Sequence, residues 1–181
     1  LEHPSLPVPT SSWWSWAVPK VLLTLWRHGE AGSAATDESR SLTRHGSDEV
    51  LAMAQEYSTW SEASAPGPVS LLLYSPYRRT IETAELLGEL LRPGSQEVDS
   101  SLAPGAYPEA FSEQHYTGHE HIVMVSHQPF LSQAIAHWTD DVTLAPLSPG
   151  GYSTLEVTCL ARGGAALLWH CPEPCDLISR A

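Results

Sequence analysis

Three short apolar runs punctuate the chain: "VLLTLW" at 21 to 26, "VSLLLY" at 69 to 74 and "HIVMVS" at 121 to 126. Each is continuous rather than alternating and is bounded by turn residues, which predicts strands buried on both faces. Between them the period changes. Leu42, Val50, Met53, Ala54 and Tyr57 fall near helical spacing and predict a helix over 43 to 60. In "SPYRRTIETAELLGELL", Ser75 is placed to cap, Pro76 suits a first helical position, and Ile81, Ala84, Leu87 and Leu91 make one face. "HQPFLSQAIAHW", from residue 127, predicts a third helix. The chain then alternates through "YSTLEVTCL" and "AALLWHC", which flank Arg162-Gly163-Gly164 and predict a hairpin. The sum is an α/β fold, a three-layer sandwich with a mostly parallel central sheet, helices on both faces and an antiparallel C-terminal edge.

Residues 1–19 break this pattern. They are rich in proline and carry Trp13, Trp14 and Trp16, so they read as an extended N-terminal extension before a single domain over 20–181. Those tryptophans either pack on the domain or form a contact surface for a partner. With 9 Lys+Arg against 21 Asp+Glu, the formal net charge is -12, which excludes a nucleic-acid partner held by its phosphate backbone. All cations but Lys20 are arginines, the side chain suited to bidentate recognition of oxyanions. Cys159, Cys171 and Cys175 have no paired CxxC spacing, which implies neither a disulfide framework nor a zinc site and suits a reducing cytoplasm. No apolar stretch is long enough to span a bilayer, and the first residues do not have the form of a signal peptide.

Charge and chemistry meet at the strand ends. Ligands of open α/β sheets bind beyond the carboxyl ends of the strands. The first strand leaves on Arg27-His28-Gly29, the second on Ser75-Pro76-Tyr77-Arg78-Arg79 and the third on Ser126-His127. Two arginines and two histidines around one point make a pocket for a tetrahedral dianion, since guanidinium forks match phosphate oxygens. One imidazole can then attack phosphorus and carry the phosphoryl group, while the other donates to its oxygens. The arginines supply the positive charge for this, so neither a metal nor another cofactor is expected. His115, His119 and His121 form a weaker histidine group for which no cysteine or carboxylate completes a ligand set; they read as exposed residues leading into the third strand.

These stretches resemble the histidine phosphatase superfamily, also called phosphoglycerate mutase-like. "LWRHGEA" is similar to its Arg-His-Gly signature and "SLTRHG" to its Leu-Thr-x-x-Gly stretch. "SPYRRTIETAELL" is similar to its Ser-Pro-x-x-Arg helix and "VMVSHQPFL" to its second-histidine segment. The resemblance implies that His28 is the phosphoryl-accepting nucleophile and that Arg27, Arg79 and His127 bind the phosphoryl group. Arg78 becomes a neighbouring charge at the rim or in solvent. Gly29 lets the backbone pass close to phosphate, and Thr43 and Gly46 shape the following helix.

Within that family, the span from residue 20 onward leaves no room for the long lid insertions of the mutases. The nearest likeness is to the short SixA-type phosphohistidine phosphatases, which share the stretch matched by Leu102 to Gly105. The resemblance therefore implies a phosphatase acting on phosphohistidine in proteins. Small metabolite phosphomonoesters are the alternative substrate, and a non-catalytic phosphate-binding or interaction protein is the remaining alternative. The proton donor is left open: Glu30, Asp99, Glu109 and Glu113 are the available carboxylates, and none sits in an evident acid motif.

Overall fold

The computed structural model describes residues 20–64, 67–115 and 117–174. Trp13, Trp14, Trp16 and Cys175 lie outside the described residues. Six strands form one sheet in the order β3-β2-β4-β1-β5-β6. They are β1 (Val21–Arg27), β2 (Leu71–Tyr74), β3 (Ser95–Val98), β4 (His121–Ser126), β5 (Tyr152–Val157) and β6 (Ala165–Cys171). Strands β3, β2, β4 and β1 run parallel, while β5 pairs antiparallel with both β1 and β6.

The continuous apolar runs have the cause inferred from the sequence. All six residues of β4 are buried because helices cover both faces of the sheet. On one face α1 (Arg44–Ser64) and α2 (Arg78–Leu91) pack Val50, Met53, Tyr57, Ala84 and Leu87 against Trp26, Leu72, Val123 and Val125. On the other, α3 (Phe130–Thr139) packs Phe130, Leu131, Ile135 and Trp138 against Leu23, Leu25, Leu71, Ile122 and Met124. Alternate residues of each strand thus serve opposite cores, and each fully buried Leu or Val contributes about 1.5–3 kcal/mol. The result is the three-layer α/β sandwich expected.

Several boundaries differ. Helix α2 begins at Arg78, with Tyr77 as an extended N-cap that makes no side-chain cap bond. Ser75 and Pro76 therefore precede the helix, and the Ser75 hydroxyl is bonded to His127 instead. Helix α3 starts at Phe130, after His127-Gln128-Pro129 has turned away from β4. The edge strand β3 has no apolar signature: Gln96, Glu97 and Val98 are exposed, because the strand pairs with β2 alone. Its backbone ladder, which side-chain pattern does not report, holds it in the sheet.

His121 also departs from expectation. It is buried, and its ring links Gly67 O at 2.9 Å to the Tyr57 hydroxyl at 2.7 Å. Tyr57 continues to Thr24 Oγ1 at 2.9 Å, and Thr24 to Thr154 Oγ1 at 3.0 Å, so the buried polar groups satisfy one another. With both ring nitrogens engaged, His121 serves the core. Among the described residues no cluster of three or more His, Cys, Asp or Glu could hold a metal ion. No helix among them is long and apolar enough to cross a membrane.

Candidate active site

Parallel register brings the three strand exits together. Arg27, the last residue of β1, lies beside Ser126, the last of β4, while Tyr74 of β2 lies beside Val125. The loops stay joined just past the sheet, where His28 N donates to Ser126 O at 3.2 Å and Ser75 N to Val125 O at 3.2 Å. At this edge a cleft of about 370 Å³ opens. Arg27, His28, Arg79 and His127 all line it, and the two histidine ring centres are 5.0 Å apart.

His28 has a defined orientation. Its Nδ1–H donates to Gly29 O at 2.7 Å, since a carbonyl can only accept. That fixes the tautomer and leaves Nε2 as the bare, nucleophilic nitrogen, which accepts from Arg79 Nε at 3.1 Å. Arg79 is 4% exposed and buries its charge against Asp37, with Nη1 on the carbonyl at 2.7 Å and Nη2 on Oδ2 at 3.1 Å. Its guanidinium lies 4.9 Å from the centre of the Tyr77 ring. Arg27 donates from Nη1 to Leu147 O at 2.8 Å, and burial lowers its pKa. His127 is 2% exposed, and its Nε2 lies 2.8 Å from the Ser75 hydroxyl.

Both histidines are held neutral. Burial first, then Arg79, Arg27 and Arg40, bring the pKa of His28 down to about 4, against the opposing bond to Gly29. Burial and then His28 and Arg79 lower His127 to about 3. Because the folded values lie below the unfolded value of 6.5, the unfolded chain binds more protons as the pH falls. The contribution of these groups to stability is complete above pH ~6.5 and is lost as the pH drops toward about 4. A proton NMR titration, with His28 assigned by its loss in a variant, should show two ring signals that do not titrate between pH 8 and pH ~5. Signals titrating near the solvated value of about 6.5 would contradict a buried, arginine-flanked pair.

Gly29 is held close on the helix side: a Cβ there would meet Gly46 O at 2.7 Å and Val50 Cγ2 at 2.8 Å, where α1 passes. A Cβ on Gly46 would lie 2.3 Å from Glu30 O and 2.6 Å from Glu30 N. The two glycines let the loop after β1 press against the start of α1. Thr43 completes the joint: its hydroxyl accepts from Gly46 N at 2.9 Å as a helix cap and donates to Glu30 Oε1 at 2.9 Å. Arg78, on the outward side of α2, pairs with Glu82 at 2.8 Å in solvent.

Sequence reading passed over two charged residues of the cleft, Asp37 and Arg40. Arg40 donates to Gly32 O at 2.8 Å and Ala31 O at 3.1 Å, and pairs with Asp37 at 3.1 Å. A faint signal existed, since a charged pair three residues apart stands just before "SLTRHG". Of the four carboxylates left open as proton donor, Glu30 lines the cleft. Asp99 instead accepts from Ser101 N at 2.8 Å and lies 3.6 Å from His115, and Glu109 and Glu113 are exposed on 3-10 turns. From the Leu102 to Gly105 stretch, Pro104 reaches the cleft wall, and Leu102 is tied to β4 through Ser126 Oγ at 2.8 Å.

No protein-family model and no curated protein matches the chain. Solved structures do. The protein histidine phosphatase SixA, solved with tungstate, superposes with a TM-score of 0.72 at 25% identity, covering 87% of this chain and 99% of that one. A chain assigned as phosphohistidine phosphatase SixA from Nakamurella multipartitia gives 0.66 at 21% identity, over 83% and 94%. A mycobacterial glucosyl-3-phosphoglycerate phosphatase, in complex with VO3, gives 0.59 at 16% identity, over 83% and 99%. Sheet order, layers and these likenesses together place the fold in the histidine phosphatase superfamily, beside the SixA phosphohistidine phosphatases.

Proposed function

We propose that the chain is a phosphatase that passes the phosphoryl group through a covalent intermediate on His28, and that its substrate is phosphohistidine on a protein. The orientation of His28 carries the reading. Nδ1 is tied to Gly29 O, Nε2 accepts from Arg79 Nε, and Arg27 and His127 line the same cleft. In the first step Nε2 attacks phosphorus and the bond to the leaving group breaks. Arg27 and Arg79 match the equatorial oxygens, and His127, turned by Ser75, is the second histidine of the phosphate pocket. Water then attacks the phosphohistidine, releasing inorganic phosphate and restoring Nε2. The arginines provide the positive charge throughout, so the proposal requires no metal.

The substrate follows from the carboxylates. Among the described residues two line the cleft, and Asp37 is lowered in pKa by hydrogen bonds to Arg40 and Arg79, which disqualifies it as an acid. Glu30 accepts from Thr43. An alkoxide leaving group needs a proton from such a donor, whereas an imidazole leaving group is readily protonated near neutral pH. We place the enzyme in the cytoplasm on the sequence grounds of its cysteine spacing.

Initial rates on a phosphohistidine protein and on a panel of phosphomonoesters test this. Expected is a preference of at least ~100-fold in kcat/KM for the phosphoramidate, equal to about 2.7 kcal/mol in the transition state. The opposite preference supports the metabolite phosphatase. In that case Glu30 is the donor within the cleft, and Glu30→Gln should remove the monoesterase activity. Binding of phosphate without turnover on either class would leave the non-catalytic reading.

A further inference from the structure

The cleft holds a carboxylate that phosphoryl transfer does not require. Asp37 stands at the mouth with its side chain 54% exposed, and it bridges two arginines. Oδ1 accepts from Arg40 Nη1 at 3.1 Å, Oδ2 from Arg79 Nη2 at 3.1 Å, and the carbonyl oxygen from Arg79 Nη1 at 2.7 Å. Paired oxygens on guanidinium forks are what a phosphoryl group would also offer. With Nε donated to His28, all three nitrogens of Arg79, though not all five of its N–H groups, are engaged by the protein's own groups. An incoming oxyanion must therefore share these arginines with a fixed negative charge.

We propose that Asp37 is a positioning residue that acts as a built-in stand-in for phosphoryl oxygens. It holds Arg79 against His28 and weakens the cleft's hold on inorganic phosphate, so that product leaves. The inference rests on the phosphatase reading above and adds to it a residue that sets product affinity. Three arginines face Asp37 and Glu30 across the lining, so neutralising one carboxylate changes the local balance substantially.

Titration with inorganic phosphate, followed by the His28 and His127 ring signals and by inhibition of turnover, is the test. Wild type is compared with Asp37→Asn and with Glu38→Gln, which removes an equal charge from the neighbouring exposed residue. Asparagine keeps an oxygen for one arginine, so the loop geometry is retained. One unit charge at this range in a half-solvated site corresponds to about a tenfold change in binding. Expected is phosphate bound about tenfold more tightly by Asp37→Asn, with the inhibition constant falling in step and kcat falling as release slows. Glu38→Gln should stay within about twofold of wild type, because a solvent-screened charge outside the cleft contributes little.

A purely structural role would loosen phosphate in Asp37→Asn, and that result overturns the proposal. So does equal tightening by Glu38→Gln, which would assign the effect to general charge. Wild type that binds phosphate without any gain in Asp37→Asn overturns this proposal alone. If neither protein binds phosphate, the phosphatase reading falls and takes this proposal with it.

Discussion

Replacing His28 with alanine should abolish turnover while leaving the protein folded. The ring's hydrogen bonds are to Gly29 O and Arg79 Nε, and it bears on the loop after β1 rather than on either core. The melting temperature should therefore move by no more than a few degrees. On the proposed mechanism, catalysis by contrast loses its phosphoryl acceptor. Removal of a covalent nucleophile costs on the order of 10⁴-fold or more in kcat, with the residue of activity due to the remaining binding groups. Arg27, Arg79 and His127 stay in place, so inorganic phosphate should still bind. Rapid quench with a phosphorus-labelled substrate should trap label on wild-type His28 and none on the variant. Retention of more than a tenth of the wild-type rate would sink the covalent mechanism.

A second large effect is expected far from the reacting atoms. Gly46→Ala places a methyl group 2.3 Å from Glu30 O and 2.6 Å from Glu30 N, and both obstructing atoms are backbone. No side-chain rotation relieves that contact, so the start of α1 and the nucleophile loop must separate. Overpacking of this kind costs about 3 kcal/mol, offset in part by the gain in helix propensity of about 1 kcal/mol from glycine to alanine. For a chain of this length the remaining ~2 kcal/mol should lower the melting temperature by roughly 4–8 °C. Activity should fall as well, because Glu30 leads directly from His28 and Gly29. Calorimetry and kcat measured well below the transition separate the two consequences. An unchanged melting temperature would mean that the loop does not press on the helix as described.

The two predictions differ in how the sequence disclosed them. His28, Arg27 and His127 were legible because each follows an apolar run that had to be a buried strand, and parallel strands deliver their exits to one edge. Arg79 was singled out by the resemblance of its helix to the Ser-Pro-x-x-Arg motif. The polar edge strand β3 was not, since a strand with one neighbour and a solvent face carries no apolar pattern. The helix starts at Arg78 and Phe130 shifted for a related reason: Ser75, read as a cap, and His127, read as the start of a helix, are bonded to each other instead.

By itself, then, the chain determined its layers and the strand exits on which Arg27, His28 and His127 stand, because burial periodicity is a local property. Tertiary structure alone decided the tautomer of His28, the depressed basicity of both histidines, the buried duty of His121 and the close joint of Gly29 with Gly46. It alone also set Asp37 between Arg40 and Arg79, on a polar loop whose composition resembles any solvated turn. The pairing of Asp37 with Arg79 and the burial of His121 against Tyr57 join residues 42 and 64 positions apart, distances that folding sets and no local pattern encodes.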